Sequence, residues 1–447
     1  MVHAKETHNV DIVLSEAEQL REQRDRFLAF AFAASDLLLE IGDDSMIRYA
    51  VGATNQLLGG APQEVVGKGW LDLFVCNYVS WAKELGIELA FKLAGIGHAY
   101  GPQVNFTGAI PYLYLNNGDG TFRNAAAGSG LDLYDAQTGY PLARSLAVAP
   151  IDLDDDGRID LVVANHEMDT FVFRNLGEGR FARIDELAGL DRDEGDGAMG
   201  IDAARLSSED PMGMGVGSFA NELNQLYRGS GDSVVFSDSL IHDPLGESAL
   251  QRFGMFFFDY DLDGRLDLLA VNGYLEREIN RIDPEMDFRR SAQLFWNGGV
   301  RARKRFMEAD ESLVGGDLFR PLVGRGAAFA DIDGNGSLDV VITQNGGAPA
   351  LLRNQAPAES NWLRLKLLGT RSNRDAIGAK VEVRVGHRSL SGRVMPTRSY
   401  LSQSELPVTI GLGRAWKASE VIVTWPDGSV QRFEDVPVNE ETVLRQE

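Results

Sequence analysis

Short apolar runs punctuated by Asn, Asp and Gly fill the chain from about residue 70 to its end. Runs of this length, bounded by turn residues, are typical of β-strands. No long helical pattern lies between them, which argues against a βαβ fold. Residues 14–40 differ, because they combine strong helix formers with no Gly or Pro, and they predict a helix around residues 14–34. The chain is therefore expected to be mainly β, with a short α/β segment at its N-terminus.

The middle of the chain repeats one unit, which consists of an apolar strand, an Asp-rich loop and a second apolar strand that ends near Asn. Full copies occupy residues 146–165, 255–272 and 327–345, with a broken copy at 199–221 and a truncated copy at 70–78. The copies start roughly 50 to 80 residues apart, and several strands in a unit of that size favour a β-propeller or a solenoid. We expect three parts: an N-terminal segment (1–69), a propeller region (70–357) and a C-terminal β-domain (358–447).

The strongest chemical signal is the spacing D-x-[DN]-x-[DN]-G-x-x-D in the three full copies, whose Asp-rich segments are named here the first, second and third loops. Side chains at positions 1, 3, 5 and 9 converge on one centre if the chain turns sharply at position 6, where Gly permits the turn, and the position 7 carbonyl adds an oxygen. The predicted metal ligands are Asp152, Asp154, Asp156, Arg158 and Asp160 in the first loop, Asp259, Asp261, Asp263, Arg265 and Asp267 in the second, and Asp331, Asp333, Asn335, Ser337 and Asp339 in the third.

Calcium prefers six to eight oxygen ligands at roughly 2.3–2.6 Å, so the three loops predict about three calcium ions. An EF-hand would place a Glu at position 12 and continue as a helix, whereas position 12 is apolar here and lies in a predicted strand. The alternative is that the loops are acidic β-turns without metal. Four carboxylates brought together without a cation would repel one another, which favours the metal. The third loop has one carboxylate fewer and is expected to release its ion first.

The broken copy at 199–221 departs from the ligand pattern. It has Ile201, Asp202 and Arg205 where a ligand cage is expected. This repeat is therefore expected to keep its blade and to lose its ion.

Composition narrows the possible partners. The chain has 66 acidic and 43 basic residues among 447, a formal net charge of −23, which repels phosphate backbones and excludes nucleic-acid binding. No apolar run approaches the roughly 18 residues of a membrane span. A single cysteine excludes an intrachain disulfide framework. The N-terminus lacks the basic and apolar start of a signal peptide, so the chain as written is expected in the cytoplasm.

The loops, followed by strands of the form D-L-x-V, resemble the FG-GAP and VCBS repeats of integrin-type propellers. Residues 70–447 resemble the cartilage acidic protein-like family. Three segments resemble the C-terminal ASPIC/UnbV domain of that family: GTRSNRDAIGAKVEVRV (369–385), SYLSQS (399–404) and VTWPDGSVQRFEDVP (423–437). The resemblance implies a calcium-bearing propeller with an appended β-domain and an extracellular or periplasmic location, and it implies no defined reaction.

A second resemblance covers residues 26–74, which are similar to the first half of a PAS sensor domain, with LLGGAPQEVVGK as the most specific part. Half a domain cannot bury a full core or close a ligand pocket. A haem or flavin is therefore not expected there.

Three functions stay open from the sequence. The leading one is a binding or scaffold module that presents propeller loops to a protein or a glycan. The second is a calcium-dependent hydrolase, lyase or cyclase with its site in the propeller channel, although no general acid, base or nucleophile can be singled out. The third is a PAS-linked cytoplasmic sensor. Arg144 and Arg325, each just before a first strand, are either strand-end caps or anion contacts in the channel.

Overall fold

The computed structural model describes backbone and side chains of residues 72–80, 106–117, 121–185, 197–208, 212–218, 226–227, 251–284, 286–302, 305–355 and 360–447, and the backbone alone of residues 37–41, 47–52, 92–93, 97–98, 225, 228–230 and 233–238. The predicted helix around residues 14–34 lies outside the described residues, as does most of the PAS-like segment. Within that segment, β1 (Leu37–Ile41) pairs with β2 (Ile47–Gly52) as an antiparallel hairpin.

Five antiparallel sheets, named blades 1 to 5, follow one another along residues 72–355. Blade 1 begins with β3 (Leu73–Val75). A separate hairpin of β4 (Lys92–Leu93) and β5 (Gly97–His98) follows, and β6 (Tyr112–Asn116) and β7 (Phe122–Asn124) then complete the sheet of blade 1. Blade 2 contains β8 (Ser145–Ile151), β9 (Asp160–Asn165), β10 (Phe171–Gly177) and β11 (Arg180–Arg183). Blade 3 contains β12 (Gly200–Arg205), β13 (Met212–Gly217), β14 (Gln225–Ser230) and β15 (Ser233–Asp238).

The last two blades continue the same order. Blade 4 contains β16 (Arg252–Phe258), β17 (Asp267–Asn272), β18 (Gln293–Asn297) and β19 (Phe306–Glu308). Blade 5 contains β20 (Gly324–Ala330), β21 (Asp339–Gln344) and β22 (Ala350–Leu352). A 3₁₀ turn (Ile279–Arg281) lies between β17 and β18. Between β19 and β20 the chain forms the short helix α1 (Glu311–Val314), capped by Asp310, and a 3₁₀ turn (Gly316–Phe319).

The blades are arranged as a β-propeller. Strands pair in chain order within each sheet, and the innermost strands β8, β12, β16 and β20 contact one another in succession. Strands β9, β16 and β17 are buried along their whole length because each blade packs between two others. The predicted mainly β fold is confirmed, and the helices among the described residues are short.

The C-terminal domain, residues 360–447, consists of two sheets packed face to face. Its strands are β23 (Asn361–Leu368), β24 (Lys380–Val385), β25 (Arg388–Arg393), β26 (Thr397–Arg398), β27 (Ser402–Gln403), β28 (Val408–Gly413), β29 (Glu420–Thr424), β30 (Val430–Phe433) and β31 (Glu441–Arg445). One sheet has the order β28-β23-β31 and the other β25-β24-β29-β30, and β23 runs parallel to β31.

The core of this domain lies between the two sheets. Leu363 and Leu365 of β23 pack there with Val381 and Val423 of the other sheet. Trp425 follows β29 at the start of a tight turn, and its ring is 1% exposed. The other face of β23 points to the propeller, which explains why Trp362 is buried as well.

Candidate metal centres

The three predicted loops share one backbone conformation. Each connects the innermost strand of its blade to the second strand, in blades 2, 4 and 5. At position 6, Gly157, Gly264 and Gly336 have φ of 88°, 88° and 89°. This left-handed region favours glycine, as the sequence predicted. Position 4 is also left-handed in every loop, at Asp155, Leu262 and Gly334.

The carboxylate at position 1 closes each turn. Asp152 Oδ2 accepts a hydrogen bond from Gly157 N at 3.2 Å, and Asp259 Oδ2 accepts one from Gly264 N at 2.9 Å. Asp331 Oδ2 does the same with Gly336 N, at 2.9 Å. The first carboxylate of each motif is thus oriented toward the inside of its loop.

The carboxylate at position 9 ties the loop to the third strand of the blade. Asp160 Oδ1 accepts from Asn175 N at 2.7 Å, and Asn175 Nδ2 donates back to Ile159 O at 2.9 Å. The pairs Asp267 with Asn297 and Asp339 with Asn354 repeat this arrangement. In the sequence these Asn residues end the short apolar runs that follow the loops, FVFRN (171–175), QLFWN (293–297) and LLRN (351–354).

Carboxylate oxygens converge in every loop. In three groups, one oxygen of each residue lies within 4.8 Å of the others: Asp152, Asp154 and Asp160; Asp259, Asp261 and Asp263; and Asp331, Asp333 and Asp339. The predicted side chains of Asp156, Asp267 and Asn335 are not members of these three groups, and the ligands predicted at position 7 are main-chain carbonyl oxygens. Asp156 pairs with Arg158, and the guanidinium groups of Arg158 and Arg265 donate to Asn175 O and Asn297 O on the neighbouring strand. In the third loop Asn335 Oδ1 accepts from Ser337 N at 2.7 Å, so these two residues stabilise the turn.

The donor set fits calcium. Asp152 Oδ1, Asp154 Oδ1 and Asp261 Oδ1 are buried, and none of them has a hydrogen-bond partner. A buried carboxylate oxygen without a partner is costly unless a cation compensates it. Clustered carboxylates are also the ligands that calcium prefers, whereas magnesium keeps most of its waters.

Electrostatics single out the second loop. Burial, followed by the charges of neighbouring carboxylates, raises the pKa of Asp259 and of Asp267 well above its ordinary value. Burial and the neighbouring Asp261 raise the pKa of Asp263 to about 6. Trp296 donates its indole N–H to Asp261 Oδ2 at 2.9 Å. Apart from the ion pair of Asp263 with Arg265, the contacts described bring no cationic side chain to the carboxylates of the second loop.

The structure corrects the place of the broken copy's residues. Ile201, Asp202 and Arg205 lie inside β12, and Arg205 pairs with Met212 of β13, so the connection to the second strand begins only at Leu206. Asp202 is an innermost-strand residue. Its carboxylate accepts from Phe257 N at 2.8 Å and from Arg398 at 3.1 Å. The sequence could not distinguish this position from a loop position, because strand register was unknown. The blade itself is kept, as predicted.

The C-terminal domain covers all three loops. Lys380 pairs with Asp152 of the first loop, and Gly411 N donates to Asp259 Oδ2 of the second at 3.2 Å. At the third loop, a side chain at Gly336 would overlap the ring of Trp362. The end of the propeller that carries these loops, named here the loop face, is therefore an interdomain interface.

A hairpin of the C-terminal domain, residues 397–403, enters the propeller channel. Its strand β26 contacts β8, and β27 contacts β20. Arg398 pairs with Asp202 of β12, and Ser399 Oγ accepts a hydrogen bond from Met255 N of β16 at 2.9 Å. The hairpin thus contacts the innermost strands of blades 2 to 5 from inside the channel.

The two predicted channel arginines lie near the opposite end of the channel. Arg325 donates to the carbonyls of Gly273, Gly324 and Tyr274, and its guanidinium lies 4.2 Å from the centre of the Phe253 ring. Arg144 lies 3.8 Å from Glu167. The contacts of Arg325 are those of a strand-end cap, and the role of both residues as anion contacts stays a prediction.

Sequence reasoning missed a histidine–tyrosine pair beside Arg144. Tyr78 Oη and His166 Nδ1 are 2.7 Å apart. Burial, and then the charge of Arg144, lowers the pKa of His166 to about 4, and burial raises the pKa of Tyr78. Both side chains are neutral near pH 7, and the pair joins blade 1 to blade 2. No local motif marks either residue.

Comparison with known proteins agrees with this architecture. Residues 369–447 match the family model described as ASPIC and UnbV. Over 324 residues, 71% of this chain, the sequence is 28% identical to cartilage acidic protein 1 of Mus musculus. The predicted resemblance to the cartilage acidic protein-like family is confirmed. Cartilage acidic protein 1 of Xenopus tropicalis is also 28% identical, over 331 residues. The chain spans 46% of the length of each of these relatives, so less than half of each is matched.

Solved structures of similar architecture are more distant. An Agrocybe aegerita lectin that recognises non-reducing terminal N-acetylglucosamine is 17% identical, covers 74% of this chain and 76% of its own, and has a TM-score of 0.35. The Dos1 propeller is 11% identical, and the match covers 75% of this chain and 78% of the Dos1 chain, with a TM-score of 0.28. At these TM-scores the propeller assignment rests on the strand pairing of this chain.

Proposed function

We propose that this chain is a calcium-stabilised β-propeller that acts as a binding or scaffold module for a protein or glycan. The observation that carries the proposal is the hairpin that occupies the channel. Propeller enzymes hold their substrate in the mouth of that channel, and here the hairpin 397–403 contacts four innermost strands inside it. A site built on this structure therefore belongs on the outer surface, which favours binding over the alternative of a channel hydrolase, lyase or cyclase.

Calcium has a structural role in this proposal. The loop face is covered by the C-terminal domain through Lys380, Gly411 and Trp362, so the ions lie beneath an interface and away from a ligand. In the first loop calcium would be held by Asp152, Asp154 and Asp160, and in the third by Asp331, Asp333 and Asp339. The second loop would use Asp259, Asp261 and Asp263. The bound ions would neutralise the converging carboxylates and fix the loops against β23 and β28.

The ligand surface in this proposal is the face opposite the loops. Tyr140 precedes β8 at this end and is 58% exposed, and Leu401, at the tip of the hairpin, is 70% exposed. Among the described residues, no helix has the length and apolar character that a membrane crossing requires. The resemblance to cartilage acidic protein 1 favours an extracellular location, and the comparisons give no support to the cytoplasmic one.

The test of the metal is calorimetric titration of the chelator-stripped full chain with calcium and, separately, with magnesium. We expect saturable calcium binding and a rise in Tm, because an ion that binds only the folded state stabilises it by mass action. Magnesium should bind weakly. Asp261→Ala should lower calcium affinity and the calcium-dependent rise in Tm together. A calcium stoichiometry near zero would show that the loops are acidic turns.

The binding role is tested separately with the labelled full chain on a glycan array, with calcium and with chelator. Hydrolysis of chromogenic glycosides and esters is measured in parallel. Saturable glycan binding without turnover supports the module. Turnover that Tyr78→Phe and Arg325→Met abolish would support the channel enzyme instead.

A further inference from the structure

The three loops differ in the positive charge that the chain itself brings to them. At the first loop, Lys380 Nζ contacts Asp152 Oδ2 and lies 3.0 Å from Asp155 Oδ1. Arg393 lies 3.7 Å from Asp152. The pair of Arg174 with Asp154 does not distinguish this loop, because Arg353 pairs with Asp333 at the same position of the third loop. Lys380 and Arg393 come from neighbouring strands of the C-terminal domain, where they pair with each other in the β24–β25 register.

The second and third loops receive much less basic charge at position 1. Asp259 Oδ2 accepts only backbone N–H groups in the contacts described, from Gly264 and from Gly411 of the C-terminal domain. At the third loop, Arg364 lies 3.9 Å from Asp331, but the same guanidinium donates to both oxygens of Glu405 at 2.5 Å. The charge of Arg364 is thus mostly compensated by its own domain.

The first loop still has buried carboxylate oxygens that accept no hydrogen bond. Asp152 is 2% exposed, and its Oδ1 has no hydrogen-bond partner although Oδ2 contacts Lys380. Asp154 Oδ1 is also buried without a hydrogen-bond partner. Oxygens of Asp152, Asp154 and Asp160 lie within 4.8 Å of one another. Buried acceptors of this kind indicate room for a cation whose charge a single ammonium group does not fully replace.

We propose that Lys380 is a built-in competitor of calcium at the first loop, so that this loop is the weakest of the three calcium sites while the C-terminal domain is docked. This inference rests on the proposed calcium function. A calcium ion among Asp152, Asp154 and Asp160 must move or repel the ammonium group on Asp152, and it is further opposed by Arg393. Carboxylate count alone would make the third loop weakest, and Lys380 reverses that order.

Competition between Lys380 and calcium for Asp152 couples calcium binding at the first loop to the docking of the C-terminal domain. At the second loop the C-terminal domain contributes the Gly411 N–H to Asp259 and the Arg388 guanidinium to the main-chain carbonyl of Asp263, so in the contacts described its positive charge does not lie on a carboxylate oxygen. At the first loop it contributes a positive charge, so calcium there weakens one contact of the docked domain. By reciprocity of linked equilibria, release of Lys380 from Asp152 strengthens calcium binding at the first loop.

The test compares Lys380→Met with Lys417→Met in calorimetric titrations of the chelator-stripped full chain with calcium chloride. Lys417 is a matched control, because it lies in the same domain and pairs with Asp435 at 2.8 Å, outside the loops. The wild-type chain should show two tighter sites and one weaker site. Lys380→Met should tighten the weaker site by about tenfold, since removing a neighbouring like charge strengthens cation binding, and Lys417→Met should leave it unchanged.

Two further variants secure the interpretation. Asp154→Asn in the Lys380→Met background should abolish the tightened site, which assigns it to the first loop. Lys380→Gln keeps an amide donor toward Asp152 without the charge, and it replaces Lys380→Met if that variant does not fold.

The outcomes separate the two proposals. Calcium binding in all variants with unchanged affinities for Lys380→Met and Lys380→Gln would overturn the competition and leave the calcium function standing. A tightened site that persists in the Asp154→Asn background would place the effect at another loop and also overturn it. The absence of calcium binding in every protein would overturn both proposals.

Discussion

At the scale of single residues, the second loop shows what gathered carboxylates cost a protein. Burial and mutual repulsion raise the pKa of Asp263 to about 6, and those of Asp259 and Asp267 well above their usual value. A raised carboxyl pKa means that the folded chain holds its proton more tightly than the unfolded chain does. The resulting stabilisation is full below the unfolded value near 4 and is lost as pH rises through the folded value.

This sign gives a testable pH dependence. In the metal-free protein, Tm should fall as pH rises from 5 to 7, because the carboxyl groups of the second loop lose their protons and the stabilisation is lost. Calcium should suppress that fall because it takes the place of the protons. Calcium binding at pH 6 should therefore release protons, measured by titration calorimetry in two buffers of different ionisation enthalpy. The release should shrink as the pH of the titration is raised. A binding enthalpy that is independent of the buffer at pH 6 would contradict the interpretation.

At the scale of elements, the sequence predicts features that depend on neighbouring residues, and it does not predict features that depend on contacts between distant residues. The loops were predictable because the spacing of Asp and Gly is a property of nine consecutive residues, and the tight turn after Trp425 was predictable from Pro426-Asp427-Gly428. The hairpin 397–403 could not be predicted, because Arg398 and Ser399 contact residues of the propeller that are far away in the sequence. The position of Asp202 depends on strand register, which a single sequence does not contain.

The hairpin supplies the second prediction. Arg398 and Asp202 form a largely buried ion pair at 3.1 Å, and Arg398→Met would leave the Asp202 carboxylate buried without its cation. We expect a loss of about 3–5 kcal/mol in the free energy of unfolding, measured by denaturant titration. The matched control is Arg432→Met, whose ion pair with Glu420 is on the surface and should cost less than about 1 kcal/mol. Asp202→Asn combined with Arg398→Met should recover part of the loss, and equal losses in the two arginine variants would contradict the hairpin's role.

At the scale of the whole molecule, the propeller and the C-terminal domain are arranged to behave as one unit. The loop face is joined to the domain by charged, backbone and aromatic contacts, through Lys380, Gly411 and Trp362. The hairpin adds an anchor inside the channel. A loop that loses its shape therefore removes part of the surface on which the other domain rests.

The last prediction follows from that coupling. Calcium at the second and third loops should stabilise the C-terminal domain although no proposed ligand belongs to it, because these two loops in their folded shape form part of the surface on which the domain rests. Scanning calorimetry of the full chain should show one transition that calcium moves as a whole. Hydrogen exchange should show stronger protection in β17, which adjoins the second loop, and equally in β29, which lies in the core of the C-terminal domain. Magnesium at the same concentration is the control. Two separate transitions, of which calcium moves only one while protection of β29 stays constant, would show that the domains are merely adjacent.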